Sequence, residues 1–293
     1  MRISIIGSGI VGTSTGIGLS KLGNQVIFYD VDKDRIQSLI NSRRRATNQI
    51  EEAVGQSDVS FIAVPTPFDG KQMDLSYIRS AVSAVATCLV KKDLYHLVVV
   101  KSTVLPNTTQ NFIIPQIERI SEKKVGSQIG VCVNPEFLTE INDTWTHNTD
   151  FSKDFFTEDR VVIGEFDDKS GVILEKVYRN LKVPIIHTDM KTAEMIKFAC
   201  NCALASRISY WNEIFYICAL LSIDSSLVSD VAAMDKRIGK YGTVHGKAFG
   251  GKCLPKDLQS LIEFSKRLGH EPLLLKAVLE INERIKDERG VRE

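Results

Sequence analysis

A short apolar run, Arg2-Ile3-Ser4-Ile5-Ile6, leads straight into Gly7-x-Gly9-x-x-Gly12, and this junction constrains the fold more than any other segment. A helical stretch follows to about Leu22, Gly23-Asn24 stops it, and a second strand, Gln25–Tyr29, ends in Asp30. Gly7 allows the tight turn, Gly9 lets a pyrophosphate approach the backbone, and Gly12 lets the helix pack on the sheet. The helix start, with Ile10 and Val11, supplies amides and a partial positive charge for phosphates. Asp30 is spaced to hold the ribose hydroxyls of NAD and would repel a 2′-phosphate. A lone glycine triplet is a weak signal. With a strand before it, a helix after it and an acid ending the next strand, it is a strong one.

Further apolar strands are expected at 59–64, 97–100, 129–133 and 161–164, with helical stretches such as 74–89 between most of them. Strands alternating with helices predict an α/β fold, a Rossmann-like, doubly wound parallel sheet over residues 1–187. Ligands of such sheets collect beyond the carboxyl ends of the strands. The loops there are Pro65-Thr66-Pro67, Lys101-Ser102-Thr103 and Asn134-Pro135-Glu136-Phe137-Leu138-Thr139-Glu140. Asn134 suits an N-cap and Pro135 a first helical residue, which would put Glu136 at a helix start. From about residue 188 the periodicity becomes helical, over 189–222 and 256–288, with breaks expected only near 222–226 and 236–251. This predicts an all-helical dimerisation domain, 188–293, whose long first helix joins two copies.

Near the far end stands Phe249-Gly250-Gly251-Lys252-Cys253-Leu254-Pro255-Lys256-Asp257. The glycines let the backbone pass close to a ligand. Pro255 suits a first helical turn, so Cys253 is expected just before a helix N-terminus, where the dipole and nearby lysines favour thiolate. Asp257 falls on the same helical face. The pattern describes an activated nucleophile with a carboxylate partner. Lys197 and Asn201, spaced i and i+4, share a helix face and could stabilise an oxyanion.

Charge is balanced, 37 basic against 36 acidic residues, which argues against nucleic acid or an anionic membrane as partner. No apolar segment approaches the ~18 residues that span a bilayer. The expected first strand starts at residue 2, leaving no room before it for a signal peptide. Six cysteines without metal-type spacing fit a reduced cytoplasmic compartment, and five scattered histidines give no metal site.

Taken in order, these motifs resemble the UDP-glucose/GDP-mannose dehydrogenase family. The matching residues are Gly7-x-Gly9-x-x-Gly12 with Asp30, Val64-Pro65-Thr66-Pro67, Lys101-Ser102-Thr103-Val104 and Asn134-Pro135-Glu136-Phe137-Leu138. They continue through Asp159-Arg160-Val161-Val162-Ile163-Gly164, Ala193-Glu194-Met195-Ile196-Lys197 with Asn201, Arg237-Ile238-Gly239 and the 249–257 block. The resemblance implies oxidation of the C6 alcohol of a nucleotide sugar, UDP-glucose by first choice, to a carboxylate with two NAD and one cysteine. It implies Cys253 as nucleophile through a thiohemiacetal and a thioester, Lys197 and Asn201 as oxyanion stabilisers, and Asp257 as a partner for Lys197. Glu136 would be the base, directly or through a water held by Thr103. Pro65, Thr66, Thr103 and Glu140 join the cofactor contacts. Glu136, Phe137, Leu138, Lys197, Asn201, Phe249 and Gly250 line the substrate, with Arg237 reaching it across a homodimer.

Three departures accompany the resemblance. The family's usual C-terminal nucleotide-sugar-binding domain is not expected within residues 1–293, the 39–53 stretch is expected to be short, and 140–159 longer than the pattern. Besides removal of residues after 293, or a separate chain that supplies that domain, two alternatives stay open. A β-hydroxyacid-type dehydrogenase also joins a dinucleotide fold to helices, but it performs one two-electron oxidation and needs no thiol. A non-catalytic, NAD-binding dimeric remnant is the other.

Overall fold

The computed structural model describes residues 1–139, 145–146 and 154–292. The chain divides into two compact units: Met1–Pro67, Met73–Leu138 and Asp154–Lys197 form the first, and Phe68–Gln72, Thr139–Lys153 and Phe198–Glu293 the second.

The first unit is built on β1 (Arg2–Ile6), β2 (Gln25–Tyr29), β3 (Ala46–Thr47), β4 (Val59–Ile62), β5 (His96–Val100), β6 (Ile129–Val133), β7 (Val161–Glu165) and β8 (Ile185–Asp189). Among the described residues they form one sheet in the order β3-β2-β1-β4-β5-β6-β7-β8. Neighbouring strands are parallel except β6 and β7, which run antiparallel. The doubly wound α/β expectation therefore holds, and the reversed β7–β8 pair is an addition to it. Every residue of β4, β5 and β6 is buried, and these strands are mostly apolar along their length rather than alternating apolar and polar.

Helices α1 (Ile10–Lys21), α2 (Lys33–Asn41), α3 (Ile50–Gly55), α4 (Ser76–Val90), α5 (Ile114–Ser121) and α6 (Asp168–Tyr178) accompany the strands. Leu19 of α1, Ile36 and Leu39 of α2, and Leu174 and Val177 of α6 join Ile3, Phe28, Phe61 and Val99 in one core cluster. The strand order turns at β1: β2 lies on one side and β4 on the other. The crevice beyond the carboxyl ends of β1 and β4 is thus the ligand position such a sheet offers.

Helix α7 (Met190–Leu220) begins in the first unit and continues into the second. There it is followed by α8 (Ser225–Ala232), α9 (Leu254–Arg267) and α10 (Leu273–Arg289), with a two-residue parallel pairing of β9 (Ala248–Phe249) and β10 (Val291–Arg292). The helical stretch expected over 256–288 has one more break than its periodicity suggested. Leu268 closes α9, Gly269 takes φ +83°, and Pro272 precedes α10. Only glycine adopts such a φ without strain, and proline cannot continue the preceding ladder.

Candidate active site

At the turn after β1, Gly7 has φ +94°, and a Cβ there would meet the Ala63 carbonyl oxygen at 2.7 Å. A Cβ on Gly12 would collide with the Gly7 carbonyl oxygen, whereas one on Gly9 would meet nothing within 4 Å. The first and third glycines are therefore demanded by packing. The second leaves the space into which a diphosphate would come. Helix α1 starts at Ile10 with no side-chain cap and no acidic residue in its first turn, so its dipole is open to an anion. Asp30 is buried, its Oδ2 accepting from the Ser8 amide at 2.7 Å and its Oδ1 from the Asp32 amide at 3.0 Å. Arg35, which the motif reading missed, places Nη1 3.0 Å from Asp30 Oδ2. These features fit a dinucleotide.

The loops after β4 and β5 meet. Thr66 Oγ1 donates to the Thr103 carbonyl at 2.7 Å, and Ser102 Oγ donates to the Val64 carbonyl at 2.7 Å. Thr66 is buried, Thr103 half-buried and Pro65 exposed. Farther along the loop after β5, the amides of Asn107 and Thr109 donate to the two carboxylate oxygens of Glu194 at 2.7 and 2.9 Å. Burial lifts the Glu194 carboxyl to about 7 even though these amides pull it down.

The stretch after β6 corrects an expectation. Residues 134–138 are neither helix nor strand, so Asn134 is no N-cap and Glu136 opens no helix. The Asn134 side chain is taken by distant groups instead. Its Oδ1 accepts from Lys101 Nζ at 3.0 Å and from the Tyr178 hydroxyl at 2.6 Å, and its Nδ2 donates to the Val162 carbonyl at 2.8 Å. Glu136 is buried, with Lys197 Nζ 2.8 Å from its Oε1 and the Leu138 amide donating to its Oε2 at 2.7 Å. Burial pushes the Glu136 carboxyl up. The Lys197 ammonium, the Leu138 amide and Lys101 outweigh it and hold the group below the usual carboxylate range. The Phe137 amide donates to Glu158 Oε1 at 3.0 Å. Both Phe137 and Leu138 thus spend their N–H groups internally. Glu140, and most of the long 140–159 segment, lie outside the described residues.

In the second unit, Cys253 is exposed and stands as the N-cap of α9, with Pro255 in the first turn, as expected. The Asp257 amide donates to the Cys253 carbonyl at 3.0 Å. The Asp257 side chain is buried, its Oδ2 accepting from Asn201 Nδ2 at 2.6 Å and its Oδ1 paired with Lys256. The sequence suggested Lys197 as a partner for Asp257; Asn201 and Lys256 are partners it did not suggest, as Glu136 is for Lys197. Phe249 is buried and clamped by Asn282, which accepts from its amide at 2.8 Å and donates to its carbonyl at 3.1 Å. The Gly250 amide donates to the Arg292 carbonyl at 3.3 Å, and a Cβ on Gly250 would collide with Val291. Arg237 is exposed and folds back on Asp235 at 2.6 Å.

Among the described residues no cluster of His, Cys, Asp or Glu is arranged to hold a metal ion, and no helix is long and apolar enough to cross a membrane.

Two family models match the chain. The NAD-binding domain of the UDP-glucose/GDP-mannose dehydrogenase family covers residues 1–44 and 39–182, and the central domain of that family covers 191–284. A UDP-glucose 6-dehydrogenase of Haloferax volcanii is 35% identical over 308 residues, covering 97% of this chain and 70% of the relative. A GDP-mannose 6-dehydrogenase of Pseudomonas aeruginosa is 37% identical over 306 residues, covering 96% and 68%. The solved UDP-glucose dehydrogenase of Pyrobaculum islandicum superposes with a TM-score of 0.86 at 34% identity, covering 97% of this chain and 68% of that one.

Proposed function

Since this chain belongs to the UDP-glucose/GDP-mannose dehydrogenase family, with NAD as its cofactor, we propose that it is a nucleotide-sugar 6-dehydrogenase that oxidises the C6 alcohol of UDP-glucose to the uronic acid. Gly7, Gly9, Ile10, Val11 and Gly12 would hold the diphosphate, Asp30 with Arg35 the adenosine ribose, and Pro65, Thr66 and Thr103 the remainder. NAD would supply the acceptor for one electron pair in each of two successive oxidations at C6, two NAD molecules being consumed per sugar.

The chain's own residues do the rest. Glu136, charged and held by Lys197, accepts the proton of the C6 hydroxyl, directly or through a water on Thr103. Cys253 then adds through sulfur to the aldehyde carbon, forming a thiohemiacetal, and the second oxidation leaves a thioester. Water attacks that carbon, the C–S bond breaks, and the thiolate is regenerated with release of the carboxylate. Lys197 and Asn201, four residues apart in α7, donate to the oxygen that carries negative charge in each step. Asp257 orients Asn201 through their 2.6 Å hydrogen bond. Phe137, Leu138, Phe249 and Gly250 line the sugar nucleotide.

The observation that carries this reading is the exposed thiol at the start of α9, a helix whose first turn holds the buried Asp257 bonded to Asn201. A single two-electron oxidation has no use for such a thiol. The test is NADH formed per sugar consumed, against a panel of UDP- and GDP-sugars. About two per UDP-glucose supports the four-electron route. A value near one would favour a simple alcohol dehydrogenase, and NAD binding without turnover of any sugar a non-catalytic protein.

We also propose a homodimer joined along α7, with Arg237 acting across it. Exposed apolar side chains of the second unit support this, among them Tyr210, Leu220, Leu221 and Met234. A stable monomer by light scattering at micromolar concentration would refute it. A reduced, cytoplasmic setting suits the free cysteines.

A further inference from the structure

Four ionisable side chains of the first unit are buried around one irregular stretch of chain: Lys101, Glu136, Glu158 and Lys197 are 3, 7, 5 and 4% exposed. Two are basic and two acidic, so the set is neutral. Burying an ion costs several kcal/mol unless a counter-charge and hydrogen bonds accompany it. Glu136 has Lys197 at 2.8 Å. Lys101 and Glu158 have no part in the chemistry proposed above, and their contacts show what they do instead. Lys101 Nζ donates to Asn134 Oδ1 at 3.0 Å and to the Pro135 carbonyl at 3.3 Å, while Glu158 Oε1 accepts from the Phe137 amide at 3.0 Å.

We propose that Lys101 and Glu158 are positioning residues for Glu136: one buried cation and one buried anion, they fix the backbone on either side of it and together add no net charge beside its carboxylate. The proposal rests on reading Glu136 as the proton acceptor. Residues 134–138 form no regular structure, so their backbone groups must find partners elsewhere. Lys101 supplies one for Pro135, Glu158 one for Phe137, and Glu136 itself one for Leu138. The charges are coupled as well. Burial pulls the Lys101 ammonium below its ordinary value, and Glu158 followed by Glu136 push it back up, while Lys197 opposes them. Lys101 in turn helps to keep Glu136 ionised. Among the described residues, Arg160, 4.1 Å over the Phe137 ring, and the Tyr178 hydroxyl on Asn134 also face the segment. Both stay in place in the test.

The test uses the full chain carrying Lys101→Met, Glu158→Gln or both. The Glu136 titration is followed by ¹³C-carboxylate NMR, and that of Lys101 by its ¹³Cε resonance. Lys101→Met should raise the Glu136 midpoint and, with NAD affinity unchanged, lower kcat/KM on the order of 100-fold by misplacing the base. Glu158→Gln leaves the Phe137 amide an acceptor, so a purely structural role predicts no change; the charge pair predicts a lower Lys101 midpoint. In denaturant melts the double variant should be less destabilised than the sum of the singles. An unmoved Glu136 midpoint in folded Lys101→Met overturns the proposal. So does an unmoved Lys101 midpoint in Glu158→Gln, which decides the matter if the methionine variant does not fold. If both midpoints move while wild type oxidises no nucleotide sugar, the coupling stands and the assigned reaction falls.

Discussion

The two units handle reactive groups in opposite ways. The first keeps its charges inside: Lys197 and Glu136 pair where almost no water reaches them. The second puts its Cys253 thiol at the surface, at the N-cap of a helix, while the Asp257–Asn201 pair is buried. A buried charge is worth having only while its partner is present, so function and stability are entangled in the first unit. An exposed nucleophile can be removed with little structural consequence. One unit positions by compensation, the other by a helix end.

The sharpest break in that comparison is Cys253→Ser. It should melt like wild type, yet stop after about one NADH per active site, because a serine ester is hydrolysed far less readily than a thioester. Sustained formation of two NADH per sugar would remove the thiol from the mechanism. Lys197→Met should do the reverse and cost fold as well as activity, about 3–5 kcal/mol in denaturant melts, since Glu136 is left buried and unpaired. The sign of its pH dependence is a second check. In wild type the Glu136 carboxyl lies below its ordinary value, so its contribution is present above the unfolded pKa and is lost as pH falls through the folded one. In the variant the carboxyl is better off protonated, so stability should instead rise on going from neutral pH to mild acid.

Asp30→Ala should weaken NAD by roughly tenfold, on the order of one charge-assisted hydrogen bond. It also releases Arg35, so the preference for NAD over NADP should narrow; fluorescence titration with both reduced cofactors reads this. A wild type that prefers NADP would contradict the role given to Asp30. The smallest effect is expected at Glu194. Its folded carboxyl is raised to about 7, so from the ordinary glutamate value up to that point the folded chain holds a proton the unfolded chain has lost. Its contribution to stability therefore falls as pH rises through that window. Glu194→Gln should flatten this part of the Tm–pH curve, and an unchanged slope would show that burial of Glu194 is not what sets it.

Features encoded within one turn of chain were legible in the sequence. The glycine triplet with Asp30 declared the β1–α1–β2 crevice, and Pro255 declared the helix start that carries Cys253. Long-range pairings were not. Asn134-Pro135 has the local chemistry of a helix start, but Lys101 and Tyr178, 33 and 44 residues away, claim the asparagine oxygen and leave the segment irregular. The break before α10 was misjudged because an apolar stripe continues on both sides of Gly269 and Pro272. Glu158 and Asn282 carry no local signature at all. Each matters only because folding brings it to a backbone amide 21 or 33 residues distant in sequence.

The pairing of β9 with β10 gives the thiol loop a mechanical character. Phe249 and Gly250 are moored to Val291 and Arg292, so four residues before Cys253 the backbone is anchored by a strand from the other end of α10. The side chain of Val291 fills the space that a Cβ on Gly250 would need. A pull on residues 291–292, or their release, is therefore transmitted to the Cys253 loop through a joint of only a few hydrogen bonds. That joint makes the loop answerable to the last strand of the described chain.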